Sequence, residues 1–323
     1  MSPIALQPRA PRSAWPALPY SEWTDTLETL HLWTQIVGKV RTELSPWRNH
    51  SWSSALYVTP RGLTTTSIPH EGRIFEMSFD LVAHQLVMEV SDGSVATISL
   101  EPKSVRAFYA QVMERLETLG LEVSIHPVPN ELETVVPFAE DDAHDAYDAR
   151  HVEPLRRALV QADRVMRVFQ AGFVGKVSPV HFFWGGFDLA VTRFSGREAP
   201  EHPGGFPNLP DEITREAYSH EVTSVGFWPG NRDNPEPIFY AYAYPAPDGF
   251  PDASVRPDEA FWLEELGEFA LPYEAVRSAE SPDDALLSFF ESTHAAAAER
   301  ADWARSALEW ERGYRPVPRW SDA

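Results

Sequence analysis

The sequence predicts an α+β protein built from two similar helix–antiparallel-meander–helix units, a pseudo-twofold duplication. Three observations carry that reading. Amphipathic stripes of helical spacing stand before and after clusters of short alternating runs. Gly, Pro, Asn and Asp punctuate those runs. Short motifs of the first half recur in the same order in the second.

In chain order, residues 1–19 read as an extended arm, with five prolines and no continuous apolar stretch. Ser21 can cap a helix reaching about Val37, because Trp23, Leu27, Leu30 and Trp33 repeat at helical spacing; Gly38 would end it. Strands are expected near 52–59, 62–68, 74–81, 85–90 and 95–100, with Ser91-Asp92-Gly93 turning between the last two. A helix from about 102 to 119 carries Val105, Phe108, Val112 and Leu116 on one face. A short strand at 121–125 completes the unit 20–129. Residues 130–153 are acidic and poor in apolar side chains, and read as a connection to a second unit, 154–310. That unit opens with a helix striped by Leu155, Leu159, Val165 and Phe169. An extended stretch at 180–194 follows, then a Pro/Gly-rich loop at 200–210 and a short helix at 211–218. Strands at 220–228, 238–244 and 269–271 and a helix from 282 to about 308 come next, before a tail at 311–323. In the strand 238–244, Tyr240, Tyr242 and Tyr244 share one face and Ala241 and Ala243 the other.

The duplication rests on echoes. Val-Gly-Lys-Val occurs at 37–40 and 174–177, Ser-Pro at 45–46 and 178–179, and Val-Thr at 58–59 and 191–192, with thirteen positions from Pro to Thr each time. Leu100, Pro102, Val105 and Arg106 are matched by Leu271, Pro272, Val276 and Arg277. Two such units would leave a cleft between them, where ligands preferentially bind.

The chain has 323 residues, enough for about two domains, and a formal charge of −21 from 48 acidic and 27 basic residues. That charge disfavours nucleic acid and anionic membrane surfaces as partners. No cysteine is present, which excludes disulfides, thiolate nucleophiles and zinc–cysteine sites. Neither a signal peptide nor a membrane-spanning run is evident, and a cytoplasmic, bacterial protein is expected.

Chemistry concentrates at 178–197, SPVHFFWGGFDLAVTRFSGR, where five aromatic residues surround a Gly-Gly pair. Read as one strand, this stretch puts His181 and Asp188 on opposite faces unless Gly185-Gly186 makes a bulge; glycine there signals a bulge or a close backbone approach. With His220, the pair offers a candidate catalytic set, His181, Asp188 and His220, as acid–base groups or as two-His-one-carboxylate metal ligands. Arg193 is a candidate anion anchor, and Trp184 and Tyr242 are candidate substrate walls. A second cation site could be imagined at Glu140, Asp141, Asp142, His144, Asp145 and Asp148, although a solvated linker is the commoner meaning and calcium-loop spacing is missing. Dinucleotide, Walker, zincin and esterase-elbow signatures are absent. The sequence leaves the cofactor, including any metal, unknown.

Several stretches, LHLWTQIVGKV (30–40), RGLTT (61–65), the stretch 178–197, REAYSHEVTSVGFWPGN (215–231) and FYAYAYP (239–245), resemble a bacterial family of unknown function, numbered 5996. The likeness runs from Trp15 to Trp303 and implies a bacterial, single-chain protein. It transfers no activity and no site residue.

Two functions are compatible with these residues. One is an enzyme acting on a small polar or anionic molecule in the second unit by His/carboxylate chemistry. The other is a non-catalytic protein binding a small molecule or peptide in an aromatic cleft. Convergence of His181, Asp188 and His220 on an open pocket would favour the enzyme; histidines sealed in apolar packing would favour binding.

Overall fold

A computed structural model describes residues 11–310. Its first half contains α1 (Thr24–Leu44), then β1 (Tyr57–Val58), β2 (Gly62–Thr64), β3 (Ile68–His70), β4 (Arg73–Asp80), β5 (Gln85–Val90) and β6 (Val95–Ser99), then α2 (Val105–Thr118). The second half has α3 (Ala149–Ala171), β7 (His181–Phe183), β8 (Asp188–Glu198), α4 (Asp211–Ala217), β9 (His220–Trp228), β10 (Ile238–Tyr244), β11 (Phe261–Leu263) and β12 (Glu268–Pro272). It closes with α5 (Tyr273–Ser278), α6 (Pro282–Arg300) and α7 (Arg305–Leu308). The fold is α+β, with two antiparallel six-stranded sheets.

The first sheet runs β1-β2-β4-β5-β6, with β3 on the far end of β4; the second runs β11-β12-β10-β9-β8-β7. Their leading edges meet where Leu56 and Phe182 exchange two backbone hydrogen bonds of 2.8 Å. Strand alternation places Phe75, Met77 and Phe79 of β4 in the core, beneath α1 and α2, where Trp33 stacks on Phe108 at 4.5 Å. In the second sheet Val191, Val225, Phe227 and Phe239 face α3 and α6, and Phe290 meets Phe239 edge-on. One continuous apolar cluster contains residues of both layers. No helix among the described residues is long and apolar enough to cross a membrane.

Several expectations need correction. The first helix does not stop at Gly38 but continues to Leu44, because the glycine lies inside α1 as a seat for the Trp184 indole: a methyl there would overlap its ring. Helix α3 begins upstream of Pro154, where the Asp148 side chain caps it by accepting from the Arg150 N–H at 2.8 Å. Residues 121–125 form no strand, although Leu121 and Ile125 are buried. The stretch 180–194 is two strands, β7 and β8, joined by a four-residue turn at 184–187. The final helix ends at Arg300, with α7 separate.

The sequence echoes do not fall on matching elements. Val37–Val40 is helical within α1, whereas residues 174–177 follow the end of α3; Val58 ends β1, whereas Val191 lies inside β8. The order of elements differs as well, because α4 stands between β8 and β9 while no α-helix interrupts β1 to β6. The tail at 311–323 and the first ten residues of the arm lie outside the described residues. Trp15 and Leu18, also in that arm, are buried in the core.

Candidate functional site

The Gly185-Gly186 turn is the centre of the site, and it is built by α1. Trp184 packs on Gly38 and donates its indole N–H to the Ser54 carbonyl at 2.8 Å. The Gly185 carbonyl accepts from His31 Nε2 at 2.8 Å. Burial holds the His31 imidazole at a pKa of about 4, so it is neutral and can serve as this donor through one tautomer. One turn along α1, Gln35 donates to the Asn130 carbonyl at 2.9 Å and accepts from the Asn130 N–H at 2.8 Å. Lys39 donates to the Asn130 side-chain oxygen.

These contacts aim Glu131. Its N–H donates to the Pro207 carbonyl at 2.9 Å, and its φ of +59° is a left-handed conformation that costs a non-glycine residue energy. Its carboxylate occupies the space above the glycine pair. A methyl on Gly185 would overlap Glu131 Oε1, and one on Gly186 would sit 3.0 Å from Asp188 Oδ1 and 3.6 Å from Glu131 Oε2. The glycines are there because two carboxylates approach the backbone, not because of a bulge.

Because residues 183 and 188 pair across the hairpin, Asp188 shares the outer face of the second sheet with Phe183, Ala190 and Thr192. Tyr240 donates its hydroxyl to Asp188, its ring lying over Gly226, where any side chain would collide with it. Tyr242 stacks beside Tyr240 at 6.1 Å and meets the Tyr218 hydroxyl at 2.9 Å. Thr192 and Ser224 bond to each other at 2.9 Å on the same face. Glu268, first residue of β12, lies beside Tyr242, since Ala241 pairs with Phe269.

The electrostatics are unusual. Burial raises the Asp188 carboxyl to about 6, against the lowering bond from Tyr240. Desolvation of the carboxyl group, and then the neighbouring Asp188 charge, raise Glu131, whose residue as a whole is exposed, to about 7 and half-buried Glu268 to about 8. Among the described residues no lysine or arginine contributes to any of the three. The hydroxyls of Tyr218 and Tyr240 are driven well above their ordinary value by burial and by the same carboxylates, so they remain protonated donors. Glu131 and Glu268 each feel the Asp188 charge, so ionising Asp188 makes ionising either of them harder.

The other sequence candidates lie elsewhere. His181 shares a sheet face with Asp188, but its ring is 0% exposed between Trp52, Tyr57 and Phe183, and neither nitrogen has a partner. His220 lies past the rings of Trp52 and His50, half-buried, bonded to Ser219 Oγ at 3.1 Å. The structure therefore does not bring His181, Asp188 and His220 together. Arg193 is 1% exposed, its guanidinium 3.5 Å from the Phe169 ring centroid and 3.1 Å from Glu291, so it clamps β8 to α3 and α6. Trp184 supports the turn from behind, and Tyr242 does line the carboxyl face. In the acidic segment, Asp141 accepts from the N–H groups of Ala143 and His144 and from the His144 ring, and Asp148 binds Arg150. Among the described residues no three His, Asp or Glu side chains converge as a metal site.

Glu131, Glu268, Tyr218 and the bond from Tyr240 to Asp188 were not legible as site features. The one available signal was the glycine pair, which did announce a close approach to the backbone without saying by what.

No curated protein and no solved structure matches the chain. The model of a family of unknown function, DUF5996, matches residues 15–310, nearly the whole length, and this protein belongs to that family.

Proposed function

We propose that this protein binds a small organic cation, such as a protonated amine, on the carboxyl–tyrosine face of its second sheet, as a binding protein. The observation that supports this most is the trio Asp188, Glu131 and Glu268, set among Tyr218, Tyr240 and Tyr242 with no basic residue among the described ones acting on it. Each ionised carboxylate raises the cost of ionising the next, and a cation placed between them removes that cost. Carboxylates only accept hydrogen bonds, so the complementary ligand is a donor. Tyrosine faces add attraction for a cation, about 0.5–2 kcal/mol per well-placed ring. The dispersal of His181 and His220 supports binding over His/carboxylate catalysis, and the enclosed Arg193 leaves this face no anion anchor.

Calorimetry and melting curves at pH 8 with ethanolamine, putrescine and tetramethylammonium test the reading, with acetate and succinate as controls. Amines are expected to bind and raise the melting temperature, the acids to do neither. Asp188→Asn should weaken amine binding about tenfold, or ~1.4 kcal/mol. Equal response to amines and acids, or unchanged affinity in the Asn variant, would sink it.

A further inference from the structure

Successive residues of β9 point to opposite sides. Ser224 joins the carboxyl–tyrosine face, while Thr223 points toward α6. There Thr223 forms part of the wall of a cavity of about 470 Å³, shared with Tyr244, Trp303, Arg197 and Arg300. This volume lies in the ordinary range of small-molecule sites.

Behind Thr223 stands a relay of polar groups. Its Oγ1 lies 2.7 Å from Nδ1 of His294, a residue of α6 that is 1% exposed. His294 Nε2 lies 3.1 Å from Glu309 Oε1, and Arg305 holds Glu309 with N–H bonds of 2.7 and 3.0 Å. The rings of Phe169, Phe173 and Trp303 enclose the imidazole.

The proton positions follow from the donors available. Burial works against a charge on Glu309, but bonds from His294 and Arg305 hold it at a pKa of about 2, so it is an ionised acceptor. Burial likewise lowers the pKa of His294. The neutral ring therefore carries its hydrogen on Nε2, toward Glu309, and offers the Nδ1 lone pair to the Thr223 hydroxyl hydrogen. A hydroxyl that donates to an imidazole oriented by a carboxylate is the arrangement of an activated oxygen nucleophile.

We propose that Thr223, His294 and Glu309 form a nucleophile, general base and orienting carboxylate that hydrolyse a small ester bound in this cavity. Thr223 Oγ1 attacks the ester carbonyl carbon, and the hydroxyl proton passes to His294 Nδ1. The imidazolium is stabilised by Glu309; of the cations on the cavity wall, Arg197 is paired with Glu221 and Arg300 donates to the Gly249 and Ala296 carbonyls, so they set the local field rather than bond the oxyanion directly. The tetrahedral intermediate expels the alkoxide, which takes the proton from His294 and leaves as alcohol. Water then attacks the acyl-threonine ester, giving its proton to His294. Collapse releases the carboxylic acid and returns that proton to Thr223. Thr223 lies on the opposite face of β9 from Ser224 and the proposed cation site, and the two proposals share none of their acting residues.

The full-length protein should be treated with a biotinylated fluorophosphonate, digested and sequenced by mass spectrometry, and assayed separately for hydrolysis of p-nitrophenyl acetate. The expected result is a phosphonyl adduct on Thr223 and measurable turnover. Thr223→Ser should keep both. Thr223→Val, which removes the nucleophile, should lose the adduct and at least about a hundredfold in kcat/KM. Glu309→Gln should lower kcat and move its pH profile, which a merely structural tie would not do. No adduct on Thr223 in the wild-type protein would overturn the assignment. So would Thr223→Val retaining the rate, or losing only melting temperature.

Discussion

At the scale of single residues, His181 is buried and Glu268 half-buried, and their stability contributions run in opposite directions with pH. Burial holds His181 at about 3, below the roughly 6.5 of an unfolded chain. The unfolded state then binds more protons between those values, so stability is full above about 6.5 and is lost as the pH falls. Glu268, raised to about 8, behaves oppositely: the folded state binds the extra proton, and stability is lost as the pH rises toward 8. Glu131, at about 7, adds to that loss. From pH 6.5 to 8 His181 is neutral in both states, so these carboxyl groups supply the slope there. The melting temperature should fall across this window. Glu268→Gln should raise it at pH 8 and leave it nearly unchanged at pH 5; a gain equal at both would contradict the assignment. His181→Phe keeps the packing with Trp52 and Tyr57 and removes two unpartnered nitrogens. It should stabilise the protein at pH 5 without altering amine binding, whereas His181→Ala should cost about 2–4 kcal/mol by opening a cavity.

At the scale of elements, Gly38 shows what the sequence conceals. Intrinsic preference favours Ala over Gly inside a helix by about 1 kcal/mol. Read alone, the glycine therefore looked like a stop signal. Only the folded chain shows the Trp184 indole filling the place of its missing side chain. Gly38→Ala should thus destabilise α1 despite the better helix former, by about 1–3 kcal/mol in urea unfolding, the usual cost of overpacking. It should also weaken amine binding, because Trp184 and His31 together hold the turn beneath Glu131. A stabilised variant would mean that the indole moves aside freely. The strands β4 and β5 were readable because alternation and burial coincide in them, whereas β9 and β10, buried at successive positions, were readable from their apolar and aromatic runs between turn residues. The site was not, because it joins β8, β10, β12 and the loop at Glu131, whose meeting depends on long-range packing. Glu131 in particular sits in a stretch whose acidity resembles a solvated linker, yet Gln35 and Asn208 hydrogen-bond to its chain neighbours and fix it in place.

At the scale of the whole molecule, the α+β class was legible because periodicity survives averaging over a hundred residues. The relation between the halves was less so: equal spacing of short motifs placed Val-Gly-Lys-Val on a helix in one half and on a loop in the other. What binds the halves is physical. The Leu56–Phe182 bridge continues one sheet into the next, and the apolar cluster includes Trp33 and Phe108 as well as Phe239 and Phe290. Separating the halves would expose that shared surface at about 25 cal/mol per Å², which over a typical interface outweighs the stability of either half alone. Unfolding should therefore be one cooperative transition, with the calorimetric and van't Hoff enthalpies equal. Asp188 and Glu268 lie in the second sheet, whereas Glu131 is positioned by Gln35 of α1, so an amine ligand should raise that single transition as a whole. Two resolved transitions, only one of them shifted by the amine, would show that the halves fold separately and that the first does not hold the site.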